Sequence, residues 1–256
     1  MQGICALTVV PVRAEASDKS EMVSQLLFGE TWTQLAEEEK WVRIRIDADG
    51  YEGWIDRKQA HFCEKPLEPA QSAHTLELVQ SATSKDRHVP LVLGSPLRDY
   101  DGMNFKLLRE RFVYNGQATD PERLPGDSAM ITKIALKYLG APYLWGGRNP
   151  FGIDCSGLSQ VVFKVAGYQL PRDAWQQAAE GSVVDFAHLA KPGDLAFFDN
   201  EEGRITHVGI VLEQGKIIHA SGRVRIDKLD QQGIYDVEQG RYSHKLRIIK
   251  RLHSSS

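Results

Sequence analysis

Residues 151–167, FGIDCSGLSQVVFKVAG, hold the pattern that decides the fold of the second half of the chain. Apolar side chains recur there at i, i+3, i+4 and i+7, which predicts a helix through Leu158, Val161, Val162 and Val165. Gly167 is expected to end this helix. Cys155 falls in its first turn, where the partial positive charge of a helix start lowers the pKa of a thiol. A cysteine in this place is a candidate nucleophile, and Asp154 before it can cap the helix or bind a substrate amide.

A cysteine nucleophile needs a base and a group that orients the base. Two histidines in THVGIVLEQGKIIHAS, residues 206–221, lie on neighbouring predicted strands. A two-residue turn would direct them to opposite faces of the sheet. A three-residue loop that ends at Gly215 in the left-handed conformation would instead pair His219 with Gly209. We predict this second register, which places His207 and His219 diagonally on one face, within hydrogen-bond reach.

Cys155 alone is better explained as a packed helix residue, because free cysteines are among the most buried residue types. Two histidines on one face make a chance arrangement the weaker explanation. The other six histidines are assigned to loops or polar edges: His61, His74, His88, His188, His244 and His253. Neither an H-E-x-x-H nor a C-x-x-C pattern occurs, so the sequence predicts no metal site and no cofactor.

The overall composition limits the compartment and the classes of partner. The chain of 256 residues has a hydrophobic content of 42% and a charged content of 25%, both ordinary for a globular protein. Its net charge of -3 argues against a nucleic-acid partner. Three cysteines at unrelated spacings predict no disulfide framework, as in a reducing compartment. Neither a signal-peptide pattern nor a run of about 20 apolar residues occurs. We therefore expect a cytoplasmic monomer with no membrane partner.

The chain has enough residues for one large domain or for two to three small ones. Short alternating apolar runs with turn residues between them fill residues 6–60 and predict a small β-barrel or sandwich. Weaker patterns over 61–118 indicate a second small β unit, and residues 118–128, with two prolines and a glycine, are typical of a linker. The remainder begins with helices and ends with strands, which is the order of an α+β domain. We therefore place domains at 1–60, 61–118 and 119–256.

Five motifs in the last domain keep a recognisable order: DCSGL, PRDAWQQ, KPGDLAFF, HVGIVL and IIHAS. They resemble the NlpC/p60 family of bacterial cell-wall cysteine peptidases. The resemblance implies a papain-like α+β fold in which Cys155 is the nucleophile, His207 the base and His219 the group that orients the base. It also places Tyr143 near the thiol. The further candidates for lining the substrate cleft are Asp154, Ser156, Arg172 and Asp173.

The segments before this domain resemble two bacterial SH3-like (SH3b) modules. Together with the catalytic motifs, they are similar to γ-D-glutamyl-L-diamino-acid endopeptidases of murein recycling. Such enzymes cleave L-Ala-γ-D-Glu from meso-diaminopimelate or L-lysine in free murein peptides. The resemblance implies that Glu30 and Tyr51 hold the free amine of L-Ala, with Glu21 as the reserve candidate. A solvated turn glutamate and a packing tyrosine explain these positions equally well.

Two other functions stay open at this point. Thiol–histidine chemistry on the same scaffold serves amidases and acyltransferases as well as peptidases. A non-catalytic cell-wall-binding protein would use the SH3-like modules alone, and it would not need Cys155, His207 and His219 together.

Overall fold

The computed structural model describes residues 1–67, 72–120 and 126–252. The chain divides into two compact units: the first comprises Met1–Leu124 and Trp145–Pro150, and the second Pro125–Leu144 and Phe151–Ser256. The segment 145–150 lies within the predicted catalytic domain in sequence but packs with the first unit. Residues 121–125 of the predicted linker lie outside the described residues, as does His253.

A six-stranded β unit opens the chain, and its strands are β1 Gln2–Ile4, β2 Val9–Arg13, β3 Met22–Leu27, β4 Thr31–Glu37, β5 Trp41–Ile46 and β6 Glu52–Asp56. They form one antiparallel sheet in the order β1-β4-β5-β6-β2-β3. Trp32 is fully buried in the apolar cluster of this sheet. A Cβ atom on Gly3 would lie 2.0 Å from the Trp32 ring, so glycine is needed there for the indole to pack. The small β unit predicted for residues 6–60 is confirmed.

Seven shorter strands follow: β7 Ser72–Thr75, β8 Val79–Thr83, β9 His88–Val92, β10 Pro96–Arg98, β11 Asn104–Leu107, β12 Glu110–Tyr114 and β13 Ala118–Thr119. They form a three-stranded sheet, β10-β7-β13, and a four-stranded sheet, β11-β12-β8-β9. The rings of Phe105 and Phe112 stack at 5.2 Å in an apolar cluster that also contains Ile4, Ala6 and Phe28 of the preceding segment. The region is therefore a β module, but its assignment as a second SH3-like module stays a prediction. A two-residue strand, β14 Arg148–Asn149, also belongs to the first unit.

The second unit begins with helices and a short strand: α1 Ser128–Lys137, β15 Gly152–Ile153, α2 Cys155–Val165 and α3 Ala174–Gln177. The side chain of Asp127 caps α1 by accepting the Met130 N–H at 2.9 Å. Along α2, all but one of the residues are buried, which the continuous apolar stripe of the sequence allows. Gly167 follows α2 with φ +92, the left-handed geometry expected after a helix end.

The rest of this unit is a seven-stranded antiparallel sheet with one 3₁₀ turn, Ala187–Leu189. Its strands are β16 Ser182–Val184, β17 Leu195–Asp199, β18 Ile205–Leu212, β19 Lys216–Ser221, β20 Arg223–Leu229, β21 Gly233–Asp236 and β22 Arg241–Arg251. The order is β16-β22-β17-β18-β19-β20-β21, and β22 pairs with β21 as well as with β17. Six strands therefore close on themselves around an apolar cluster that includes Phe198, Val211 and Ile234. Helices followed by a sheet confirm the α+β prediction for this unit.

Among the described residues, no helix combines the length and the apolar composition needed to cross a membrane.

Candidate active site

Cys155 is the first residue of α2, and the helix begins there because Asp154 caps it. The Asp154 side chain accepts a hydrogen bond from the Gly157 N–H at 2.6 Å. Only 7% of the Cys155 surface is exposed. The backbone N–H of Val208 hydrogen-bonds the Cys155 sulfur. Because Val208 follows His207 on β18, the packing of α2 on β18 brings the thiol beside that histidine.

The pKa of Cys155 moves in the opposite direction from the prediction. A helix start predicts a lowered pKa, but burial and, after it, the charge of Asp154 raise the pKa of this thiol to about 12. The Val208 N–H, the Arg172 charge and the Ser156 N–H lower the pKa without offsetting the burial. Because desolvation disfavours the charged form of any group, the resting group is a neutral thiol.

The two predicted histidines meet because β18 and β19 pair in the predicted register. Gly209 lies opposite His219, and a three-residue loop closes the hairpin. Its last residue, Gly215, has the expected positive φ of +64, and Gln214 before it shares that geometry at +61. His207 Nε2 lies 2.9 Å from His219 Nδ1, so the prediction of one shared face is confirmed.

Gly209 gives the two imidazoles their room. A Cβ atom at this position would lie 2.7 Å from Ile217 Cδ1 and 3.0 Å from the His219 Cβ. Both histidines are buried, with 7% of His207 and 1% of His219 exposed. Burial, together with the nearby His244 and His219, holds the pKa of His207 well below its ordinary value of 6.5. His207 is therefore a neutral imidazole at neutral pH.

Two polar side chains that the sequence reasoning missed complete this cluster. His219 Nε2 lies 3.0 Å from Asp227 Oδ2, and Asp227 in turn contacts Arg225. The ring of His244, assigned to a polar edge, stacks on His207 with centroids 4.1 Å apart. Alternation along β20, opposite β19, could have revealed Asp227, whereas no local pattern marks His244, which comes from the distant strand β22.

The three histidines present ring nitrogens within 4.8 Å of one another, a spacing that could hold a metal ion. Two observations favour a hydrogen-bonded cluster instead. The stacked rings of His207 and His244 are inclined by only 22°, so their in-plane lone pairs run side by side rather than converging. The 2.9 Å contact between His207 and His219 already engages a nitrogen of each ring. The absence of a metal site stays a prediction.

Three predicted cleft residues form one buried network beside the thiol. Arg172 is 2% exposed and holds both oxygens of Asp154, at 2.6 and 3.1 Å. It also donates to the Ser156 hydroxyl at 2.9 Å. The fourth candidate, Asp173, precedes α3, and its backbone N–H donates to the Gln176 side chain at 3.1 Å, as in a capping box. These contacts account for the local fold, and any role in substrate binding stays a prediction.

Tyr143 is half-buried, and its side chain lies near Cys155 and Asp154. Burial, and then the proximity of Cys155 and Asp154, raise its pKa to about 12. The neutral hydroxyl can therefore donate a hydrogen bond. The resemblance implies only that Tyr143 lies near the thiol, and a role in substrate binding stays a prediction.

The candidates for binding an amine lie in the first unit, where Glu30 is paired with an arginine. Arg148 contacts both Glu30 oxygens, at 2.8 and 2.9 Å, and both side chains are 2% exposed. Tyr51 is partly buried against the apolar cluster of the six-stranded sheet. Glu21 accepts a hydrogen bond from the Trp145 indole. The amine-binding roles of these residues stay predictions.

Comparisons with known proteins find matches to two parts of the chain. The sequence pattern of the NlpC/P60 family matches residues 140–240, and that of the bacterial dipeptidyl-peptidase Sh3 domain matches residues 12–59. A γ-D-glutamyl-L-lysine dipeptidyl-peptidase of Bacillus subtilis is 35% identical over 77% of this chain and 71% of its own length. The chain belongs to the NlpC/P60 family.

Two further relatives support this assignment. A γ-D-glutamyl-L-lysine dipeptidyl-peptidase of Bacillus cereus is 28% identical over 80% of this chain and 68% of its own length. The crystal structure of an NlpC/P60 family protein from Bacillus cereus has a TM-score of 0.85 and covers 98% of this chain and 99% of its own, at 18% identity, which shows a shared fold. The chain is thus an NlpC/P60 cysteine peptidase with an N-terminal SH3-like domain.

Proposed function

We propose that this peptidase hydrolyses the bond between γ-D-glutamate and a diamino acid, meso-diaminopimelate or L-lysine, in free murein peptides that begin with L-Ala. The observation that carries the proposal is the thiol of Cys155 at a helix start, beside the hydrogen-bonded pair His207–His219. The names of the two Bacillus relatives supply the bond type.

The neutral resting groups determine the order of proton transfers. The Cys155 sulfur attacks the γ-carbonyl carbon of D-glutamate while His207 takes the thiol proton. The backbone N–H of Cys155, one of the four unpaired N–H groups that open a helix, is placed to stabilise the oxyanion. The tetrahedral adduct collapses to a thioester as His207 donates the proton to the leaving amine of the diamino acid. Water, deprotonated by His207, then hydrolyses the thioester and restores the thiol.

Mass spectrometry of the tripeptide L-Ala-γ-D-Glu-diaminopimelate incubated with the protein tests the proposal. We expect the dipeptide L-Ala-γ-D-Glu and free diaminopimelate, and no products with the Cys155→Ala variant. The lysine-containing tripeptide, assayed in parallel, ranks the two diamino acids. An intact tripeptide after incubation with protein whose thiol is shown to be reduced would contradict the proposed reaction.

We further propose that the substrate needs a free N-terminal amine, held by Glu30 and Tyr51 or, in reserve, by Glu21. N-acetylation of L-Ala removes the positive charge that a carboxylate would bind, so the acetylated peptide should be cleaved more slowly than the free peptide. Glu30 keeps Arg148 as a partner without the amine, so the loss should be smaller than for a buried carboxylate left without any cation. Glu30→Gln also breaks the ion pair with Arg148, so each variant is judged by its ratio of rates on the free and acetylated peptides. If neither Glu30→Gln nor Glu21→Gln brings the rates on the free and acetylated peptides closer together, neither glutamate binds the amine.

Three finer proposals rest on the same resemblance. The module of β7–β13 is a second SH3-like module, which its two small antiparallel sheets support. The protein acts in the recycling of murein peptides, and it does so as a cytoplasmic monomer. An experimental structure of the module tests its fold. Cell fractionation tests the cytoplasmic location, and analytical ultracentrifugation tests the monomeric state.

A further inference from the structure

We propose that Asp227 is a positioning residue of this peptidase: its carboxylate fixes which ring nitrogen of His219 and, through it, of His207 carries the proton. The inference deepens the proposed function and rests on His207 being the base. Asp227 lies on β20, is 3% exposed, and has no contact with the thiol among those that the described residues show. It would act through the two imidazoles.

The partners of the Asp227 carboxylate are all donors. Oδ2 faces His219 Nε2 at 3.0 Å and lies 2.8 Å from Arg225 Nε, a contact that lacks hydrogen-bond geometry. Oδ1 accepts from an Arg225 terminal nitrogen at 3.0 Å and from the Val237 N–H at 3.3 Å. Although burial raises its pKa, hydrogen bonds from His219 and Val237 and the charge of Arg225 hold the pKa of Asp227 below its ordinary value. The group is therefore an ionised carboxylate, which can only accept hydrogen bonds.

The protonation of both rings follows from this carboxylate. Since Asp227 accepts at Nε2, a His219 ring with one N–H carries that hydrogen on Nε2, and its Nδ1 is bare. That bare nitrogen lies 2.9 Å from His207 Nε2, so it accepts the hydrogen of His207. The Nδ1 of His207 is then bare and free to take the thiol proton. When it does, His207 becomes an imidazolium, His219 keeps its hydrogen on Nε2, and Asp227 stays an ionised carboxylate.

Arg225 holds the carboxylate in this orientation. Besides Asp227, it contacts Asp236 Oδ1 at 2.8 Å, and its side chain is 12% exposed. Asp236 Oδ1 also accepts hydrogen bonds from the backbone N–H groups of Glu238 and Gln239, at 2.9 and 3.0 Å. Asp236 therefore shares Arg225 with Asp227 but has no hydrogen bond to either catalytic imidazole among the described contacts, which makes it a matched control.

An amide at position 227 would reverse the two rings. On the Oδ1 side, the amide NH₂ would meet two donors, the guanidinium of Arg225 and the Val237 N–H, which cannot become acceptors. On the Oδ2 side, it would meet one donor, Arg225 Nε, which is not aligned for a hydrogen bond, and His219 Nε2, which can become an acceptor when the ring moves its hydrogen to Nδ1. The Oδ2 side therefore opposes an NH₂ group less than the Oδ1 side does. The Asp227→Asn variant should therefore carry hydrogens on Nδ1 of both histidines. His207 would then present an N–H to the thiol instead of a base.

Long-range ¹H–¹⁵N NMR of the full chain labelled with ¹⁵N-histidine reads these protons directly. In the wild type at pH 7.5, we expect His219 and His207 to be protonated at Nε2, and in Asp227→Asn at Nδ1. Alkylation of Cys155 by iodoacetamide at the same pH should slow at least about 100-fold in Asp227→Asn, because loss of the correct tautomer costs a triad about 10⁴-fold. Asp227→Glu should recover most of the rate, and Asp236→Asn should keep the wild-type tautomers.

Three outcomes would overturn the inference. The first is a wild-type His219 ring that carries its hydrogen on Nδ1. This measurement does not depend on whether any variant folds. The second is an Asp227→Asn variant with wild-type tautomers, and the third is one with the wild-type alkylation rate. None of these measurements uses a peptide. A protein with the expected tautomers that leaves the murein tripeptide intact would instead refute the proposed function alone.

Discussion

The histidine cluster should make the second unit sensitive to acid, and His244 offers the means to measure this. Burial, and then the neighbouring His219, lower the pKa of His244 from 6.5 to about 4. Its neutral ring stacks on His207 at 4.1 Å. The unfolded chain therefore binds a proton at a higher pH than the folded chain does. Stability contributed by the neutral ring is complete above pH 6.5 and is lost as the pH falls towards 4.

The size of the effect follows from the two pKa values. Each pH unit between them is worth about 1.36 kcal/mol, so acidification from pH 7.5 to 4.5 removes at most about 2.5 kcal/mol through His244. Its ring keeps some contact with solvent, which reduces the effect. We expect a loss between about 1 and 2.5 kcal/mol.

The His244→Phe variant tests this reasoning, because phenylalanine keeps a ring against His207 and cannot be protonated. Hydrogen exchange of the peptide that contains β18 and β19, at pH 7.5 and 4.5, gives its opening free energy in each condition after correction for the intrinsic exchange rates. Between pH 7.5 and 4.5, the opening free energy of this peptide should fall by about 1 to 2.5 kcal/mol less in the variant than in the wild type. His61→Phe, at an exposed position, controls for the loss of a histidine. Equal losses in wild type and His244→Phe would refute a neutral, buried His244.

Three further outcomes are expected. Cys155→Ala should abolish tripeptide hydrolysis and leave the circular dichroism spectrum unchanged, whereas residual turnover would require another nucleophile. His207→Ala should lower kcat/KM more than His219→Ala, because supplying the base is more demanding than orienting it; the reverse order would exchange their roles. Arg172→Met should cost about 3 to 5 kcal/mol in denaturant unfolding by leaving Asp154 buried without its cation, and adding Asp154→Asn should recover part of the loss. Additive losses would show that the two side chains are not coupled.

The sequence predicted the parts of the site that have a local period. The helix after Cys155 follows from its apolar spacing, and the facing histidines follow from strand parity together with one glycine-closed loop. Both patterns arise because a buried face constrains residues close in sequence. The loop did not follow in full: Gln214 also takes a positive φ.

What the sequence could not predict depends on strands far apart in the chain. His244 reaches His207 only because β22 pairs with β17, which lies beside β18. The predicted direction of the Cys155 pKa shift was wrong, because the prediction used only the local position at a helix start. The burial that raises the pKa is produced by the packing of the helix on the sheet. Glu30 was judged as an exposed turn residue or an amine ligand, and its partner Arg148 lies 118 residues away in sequence.

The opposite pKa shifts of the thiol and its neighbouring imidazole have one cause. Burial raises the pKa of Cys155 to about 12 and holds that of His207 well below 6.5, because desolvation disfavours the thiolate and the imidazolium alike. A site built in this way does not rest as a charged pair. Its two charges would form only when the thiol attacks, as the proton passes to His207 and negative charge moves to the substrate oxygen at the helix start. The orientation of His207 before that step then matters more than the basicity of either group alone. That is why the Asp227 carboxylate, which is connected to His207 only through His219 among the described contacts, can influence the rate.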